Sequence, residues 1–272
     1  PEVSYSDYLY KSSTTSGLGS HYDQYAKDIV DRYSVHKKSL IVDLGSNDGS
    51  MLASFKKQEM NVIGVEPATL IADCANQSGI TTINDFFSNE VVSEIVKDYG
   101  KAEVITANYM FANVDDVVGF TNSVESLLSD SGIFIIETGY HPEQFRIKMF
   151  DYIYHEHFSY FTVGVLAGFL SKCGLEVIDV EKTKPKGGSI RVISQSCNGK
   201  RVVKPSVKEM IANEVVNGVY NVNTYSVFSD SIQKIKKELI TLLSSIKNEG
   251  ASIVGLGASH STTTLIYHFE LH

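Results

Sequence analysis

Three cysteines in 272 residues, Cys74, Cys173 and Cys197, are too few and too scattered for a disulfide framework or a paired-cysteine metal knuckle. That pattern fits a reducing cytoplasm. Basic excess is missing too: 24 Lys and Arg against 32 Asp and Glu leave a net charge of −8, so composition marks no nucleic-acid surface. No apolar run approaches the ~20 residues that cross a bilayer. The opening PEVSYSDYLY has neither the basic nor the apolar stretch of a secretory signal. Internal repeats and low-complexity tracts are absent as well. What remains is an acidic chain with 43% apolar residues, enough for one good core or a large domain with a smaller appendage.

From residue 39 onward, short β-branched runs alternate with longer amphipathic segments. The runs cover 39–45, 61–67, 81–85, 102–108, 132–138, 175–182 and 189–195. Strands alternating with helices predict an α/β fold, a Rossmann-like, mostly parallel seven-stranded sheet with helices on both faces. Only TKPKGG separates the last two runs. That is too short for a helical crossover, so the seventh strand should run antiparallel. Residues 1–37 read as a polar lead-in and a helix, 38–197 as the sheet domain, and 198–249 as a linker and an amphipathic helix. In that last helix Phe228, Ile232, Ile235, Leu239, Leu243 and Ile246 fall at helical spacing. Residues 250–272 read as a strand, a glycine turn and a helix, the beginning of a second α/β unit. A lone unit of this kind cannot bury its own sheet faces, so the chain reads as a piece of a longer protein.

The turn VDLGSNDGS (42–50) follows the first strand and opens a helix. Gly45 and Gly49 permit a tight turn and let a ligand approach backbone amides, with Asn47 between them. Asp43 and Asp48 would repel a pyrophosphate but suit a ligand bearing ammonium and sulfonium charges. Glu66 ends the second strand, where an acid can accept from both ribose hydroxyls. NDFF (84–87) places Asp85 for an adenine amino group and Phe86 to stack on the ring. Asn108 ends the fourth strand, at the edge where open α/β sheets bind ligands. Together these residues describe a pocket for S-adenosylmethionine. A nicotinamide site also uses a strand-end acid, but it does not account for the acidic turn.

The stretch DYIYHEHFSY (151–160) gathers an aspartate, a glutamate, two histidines and three tyrosines. A histidine can remove a proton at neutral pH, a tyrosine three residues earlier can hold a substrate oxygen, and Glu156 can orient either. The same residues also read as a metal site, with His155 and His157 joined by His141 or Asp151, or as a polar turn beneath the sheet. The first reading is preferred and the other two stay open.

With these stretches in hand, the chain resembles the sugar C-methyltransferases, which act at C3 of nucleotide-activated 4-keto deoxysugars. The matching stretches are DYLYKSS (7–13), IVDLGSNDGS, NVIGVEPA, ITANYMFANVDD (105–116), YHEHFSY, GGSIRV (187–192) and GLGASHSTTTL (255–265). They span nearly the whole chain, and YHEHFSY followed by GGSIRV is the most specific part. The resemblance implies a class I methyltransferase fold, S-adenosylmethionine as donor, S-adenosylhomocysteine as product, and a nucleotide-linked sugar as small-molecule partner. It implies His157 as the base, with Tyr154, Glu156 and His155 beside it and Tyr8 reaching in from the N-terminal segment. Gly188, Ser189 and Arg191 are weaker candidates for substrate contact, and Arg191 reads alternatively as an ordinary ion pair at the sheet edge. Asn113 stands where the family usually has histidine. It cannot shuttle a proton, though it can still orient a substrate. Lys186 also replaces a usual histidine. The family's N-terminal zinc-binding module and most of its C-terminal domain are expected to lie outside this chain. An O- or N-methyltransferase for another small molecule or glycan, and a non-catalytic binding module, are the alternatives. Neither nucleic acid nor membrane is expected as a partner, and the sequence says nothing of the oligomeric state.

Overall fold

The computed structural model describes residues 5–6, 9–257 and 259–271. Helix α1 (Leu18–Tyr33) leads into β1 (Leu40–Leu44), α2 (Ser50–Lys57), β2 (Asn61–Val65), α3 (Thr69–Gln77), the short β3 (Thr82–Ile83) and α4 (Asn89–Tyr99). Then follow β4 (Ala102–Asn108), α5 (Val117–Leu127), β5 (Leu128–Gly139), α6 (His141–Arg146), α7 (Val163–Lys172), β6 (Leu175–Thr183) and β7 (Ser189–Ser196). The seven strands form one sheet in the order β3-β2-β1-β4-β5-β7-β6. Strands β1 to β5 pair in parallel, and β7 lies antiparallel to both neighbours, as the short TKPKGG connection predicts.

The period-2 geometry of the strands divides the core into two layers. Val42, Ile105 and Phe134 point to one side and pack with Ile95, Val124 and Leu166 from α4, α5 and α7. Ile41, Val104 and Ile135 point to the other and meet Tyr25, Ile29, Leu52 and Phe55 of α1 and α2. Each such fully buried side chain contributes about 1.5–3 kcal/mol of hydrophobic stabilisation. Because β1 is covered on both faces, all five of its residues are buried.

Strand order reverses between β1 and β4. Neighbouring loops leave the sheet in opposite directions there, which opens a crevice at the carboxyl ends of the strands. Two differences from expectation concern the C-terminal third. Residues 205–216, read as linker, form helix α8 (Pro205–Val216), with proline in its first turn where a missing N–H costs nothing. Helix α9 (Val222–Asn248) follows as expected. Residues 251–257 are not a strand, and only α10 (His260–Phe269) of the expected unit forms. A strand needs a paired neighbour. Val254 and Leu256 instead stand 87% and 103% exposed.

Candidate active site

The carboxyl ends of β1, β2, β4 and β5 open into a cavity of about 1040 Å³. One end is lined by Gly45, Asn47, Glu66, Asp85, Phe86 and Asn108. Glu66 is buried at the end of β2, where its Oε2 accepts from the Asn47 backbone N–H and its Oε1 from that of Ala68, both at 2.9 Å. Burial raises its pKa and the two amides oppose the rise. Each oxygen keeps a further lone pair, so the carboxylate can still accept from a diol. Gly45 has φ 69°, and a Cβ there would lie 3.0 Å from Met110 Cγ, so a side chain would crowd the wall. Asn108 Oδ1 accepts from the Tyr25 hydroxyl at 3.3 Å. Its side chain also helps to hold the Asp43 carboxyl down, against the burial that raises it. Phe86 and Phe87 both border the cavity, and Phe87 also packs on Phe120, with ring centroids 5.1 Å apart. Asp85 stands exposed at the mouth and accepts from the Phe86 N–H at 2.7 Å. This set of groups fits S-adenosylmethionine: a strand-end carboxylate for the ribose, an aromatic face for the base and an amide side chain on the wall.

The remaining turn residues work differently from the sequence reading. Asp43 lies behind the wall with its Oδ1 accepting from Thr106 Oγ1 at 2.6 Å. Burial and the nearby Glu66 charge push its pKa up to about 7, despite that hydrogen bond. Gly49, with φ 76°, is tight against Ile80, where a Cβ would come within 2.9 Å. Asn47 and Asp48 hold the N-terminal segment. Asn47 Oδ1 accepts from the Ser12 N–H at 2.7 Å and Asn47 Nδ2 donates to the Tyr10 carbonyl at 2.8 Å. Asp48 Oδ2 accepts from the Ser13 N–H at 2.9 Å. Residues 10–18 thus lie as a strap across the turn, with Tyr10, Ser12 and Leu18 on the cavity wall.

At the other end stand Asn113, Tyr154, Glu156, His157 and Lys186. Residues 150–152 make a 3-10 turn and 153–160 are irregular, so the histidines lie on neither a strand nor a helix. The His157 N–H donates to the Tyr154 carbonyl at 3.1 Å, a tight turn that separates the two histidines. His157 borders the cavity, whereas His155 is exposed and outside its lining. The His157 ring packs on Tyr160 with centroids 4.7 Å apart. Burial and the Lys186 charge lower its pKa to about 4, against the opposite pull of the Ser159 backbone, so the ring is neutral at pH 7. Asn113 donates its amide to the Tyr5 hydroxyl and keeps its buried Oδ1 unpartnered. Among the described residues no group of three His, Cys, Asp or Glu side chains is placed to hold a metal ion. His141 stacks on Tyr225 at 5.9 Å.

Gly188, Ser189 and Arg191 lie outside the lining. In place of a substrate contact, Arg191 Nε and Nη1 donate to Glu137 at 2.7 Å and Glu181 at 2.6 Å, and its guanidinium stacks 3.7 Å over the Tyr25 ring. Ser189 Oγ donates to the Pro185 carbonyl at 2.9 Å, and Gly188, with φ 115°, fits against Glu143 where a Cβ would clash. Tyr8 falls outside the described residues. Sequence reading passed over His21, Tyr109 and Glu137. His21 Nε2 and the Tyr109 hydroxyl both reach Glu137 Oε1, at 3.1 and 3.0 Å. Burial would raise the Glu137 pKa, but His21 and Arg191 outweigh it and hold the carboxyl below its usual range. The positive φ of Tyr109, 57° directly after β4, had no sequence signal.

A family model described as a methyltransferase domain matches residues 18–180, and one described as a C-methyltransferase C-terminal domain matches 184–272. The C-methyltransferase NovU of Streptomyces niveus is 32% identical over 266 residues, which cover 98% of this chain and 63% of that protein. The chain therefore spans less than two thirds of the relative's length. Among solved structures, magnesium protoporphyrin IX methyltransferase (ChlM) of Synechocystis PCC 6803 with bound SAH shares the fold at a TM-score of 0.52 and 12% identity. It aligns with 66% of this chain and 84% of its own. An S-adenosylmethionine-dependent methyltransferase of Clostridium acetobutylicum ATCC 824 gives 0.51 at 10% identity, over 69% of this chain and 94% of its own.

Proposed function

The chain belongs to the methyltransferase family, and on that premise we propose that it C-methylates C3 of a nucleotide-linked 4-keto deoxysugar with S-adenosylmethionine as donor. One observation carries the reading. A neutral histidine, His157, borders the same cavity as the Glu66 carboxylate and the Asn108 side chain. When bound, S-adenosylmethionine supplies an electrophilic methyl group. Glu66 accepts from its ribose and Phe86 stacks on its base.

The protein's own work on the acceptor is to create and hold a carbanion. A ketone at C4 acidifies the C3 hydrogen. His157 takes that proton, the C–H pair becomes the C3–C4 double bond, and the C4 oxygen collects the negative charge. Tyr154 and Glu156 border the same space and position the sugar. Asn113, which cannot titrate, orients it through Oδ1. Three free cysteines support a cytoplasmic setting.

Hydrogen exchange tests the reading. With S-adenosylhomocysteine in place of the donor, a nucleoside-diphosphate-linked 4-keto-6-deoxyhexose in D₂O should lose its C3 hydrogen at a rate that depends on His157. An intact C3–H bond after prolonged incubation overturns the carbon acceptor and points to an O- or N-nucleophile.

A further inference from the structure

Lys186 and Lys184 both line the cavity, and the geometry around Lys186 is built. Lys186 follows Pro185 in the 3-10 turn Pro185–Gly187 with φ 52° and ψ 41°, a left-handed conformation uncommon for a lysine. The Pro185 carbonyl anchors that turn, accepting from the Gly188 N–H at 3.1 Å and from Ser189 Oγ at 2.9 Å. The ammonium lies 4.1 Å above the Tyr109 ring. Tyr109 is itself fixed by its hydroxyl bond to Glu137. Strain held in place by so many contacts is common at functional positions.

Glu137 is the nearest carboxylate to exert a pull on this cation. Its two oxygens are occupied by Arg191, His21 and Tyr109, and among the described residues Lys186 forms no ion pair. An aromatic face holds an ammonium without neutralising it. Lys186 therefore presents a full charge to the cavity that His157 borders. We propose that Lys186 is a catalytic residue that holds the oxyanion formed when His157 deprotonates the acceptor. The proposal rests on the ketone reading above.

The two groups divide the charges of one step. The proton travels from carbon to the His157 ring, the C–H pair forms the C=C bond, and the carbonyl π pair moves to the oxygen facing Lys186. A fixed cation in a partly dehydrated site stabilises that oxygen more than it stabilises the neutral ketone, so its effect falls on the barrier. His157, Tyr109 and Glu137 are the titratable groups that face the ammonium. The side chain keeps solvent access, and the protein crowded around its ammonium lowers the Lys186 pKa to about 8, so most of the cation persists at neutral pH and it is lost above that value.

The test is C3 hydrogen exchange of a nucleoside-diphosphate-linked 4-keto-6-deoxyhexose, with S-adenosylhomocysteine present, in wild type, Lys186→Met and Lys186→Arg. Lys186→Met should exchange at least a hundredfold slower, and Lys186→Arg should recover to within tenfold of wild type. S-adenosylhomocysteine affinity should be unchanged in both. Wild-type exchange in Lys186→Met overturns the proposal and leaves the ketone reading standing. Absence of exchange in wild type overturns the reading, and Lys186 with it. A substrate-sized mass adduct on Lys186 after borohydride reduction also overturns the proposal, because it shows an imine rather than an ion contact. If Lys186→Met fails to fold, the wild-type exchange profile decides: a decline above about pH 8 supports the cation, and a flat rate to pH 10 refutes it.

Discussion

At the end of the cavity proposed for the cofactor the carboxylate is fixed by the chain's own backbone, whereas at the end proposed for the acceptor the polar groups rest on other side chains. Glu66 sits at a strand end between two amide donors, and Gly45 is locked by Met110. His157, Asn113 and Lys186 come from irregular turns, and Asn113 keeps a buried atom with no partner among the described residues. The contrast teaches how one protein meets two demands. A ligand common to many enzymes can be met by the generic edge of a parallel sheet, while a particular acceptor needs side chains that the sheet does not supply.

The sharpest way to break that comparison is His157→Ala. Turnover should fall about a thousandfold, within the range for a lost general base, while S-adenosylhomocysteine affinity by calorimetry stays within twofold. A parallel loss of affinity would mean that the two ends are not separable. Glu66→Ala should do the reverse. Affinity should drop about a hundredfold, because a buried charge-assisted acceptor contributes about 1.5–3 kcal/mol, and turnover at saturating donor should hold. Unchanged affinity would remove Glu66 from the cofactor site. The smallest effect is that of pH. His157 must be neutral, which fails as pH falls through about 4, and Lys186 must be charged, which fails as pH rises through about 8. The kcat/KM profile should therefore fall about tenfold per unit beyond each limit, and Lys186→Met should abolish the alkaline limb and move the acid limb upward, because the Lys186 charge helps to hold the His157 pKa down.

The legibility of the sequence follows the same division. β-branched runs specify strands because a two-sided sheet needs apolar residues on both faces, so the seven strands and the reversed β7 could be anticipated. Glu66, Phe86 and Asn108 were readable because strand ends fix their positions. Tertiary contacts brought the rest. His21 meets Glu137 across 116 residues of sequence, a contact no local pattern encodes. Its motif offered Arg191 either as a substrate contact or as an ion pair at the sheet edge. Two carboxylates within reach made it a buried anchor. Asn47 and Asp48 looked directed at a ligand, yet their side chains bind the preceding segment.

That last arrangement makes the strap at residues 10–18 a door with a definable latch. Three hydrogen bonds join it to the turn. At about 1 kcal/mol each, opening costs about 3 kcal/mol, so on the order of one molecule in a hundred stands open at any moment. The sheet need not unfold for this, since detaching the strap is a local event far cheaper than unfolding.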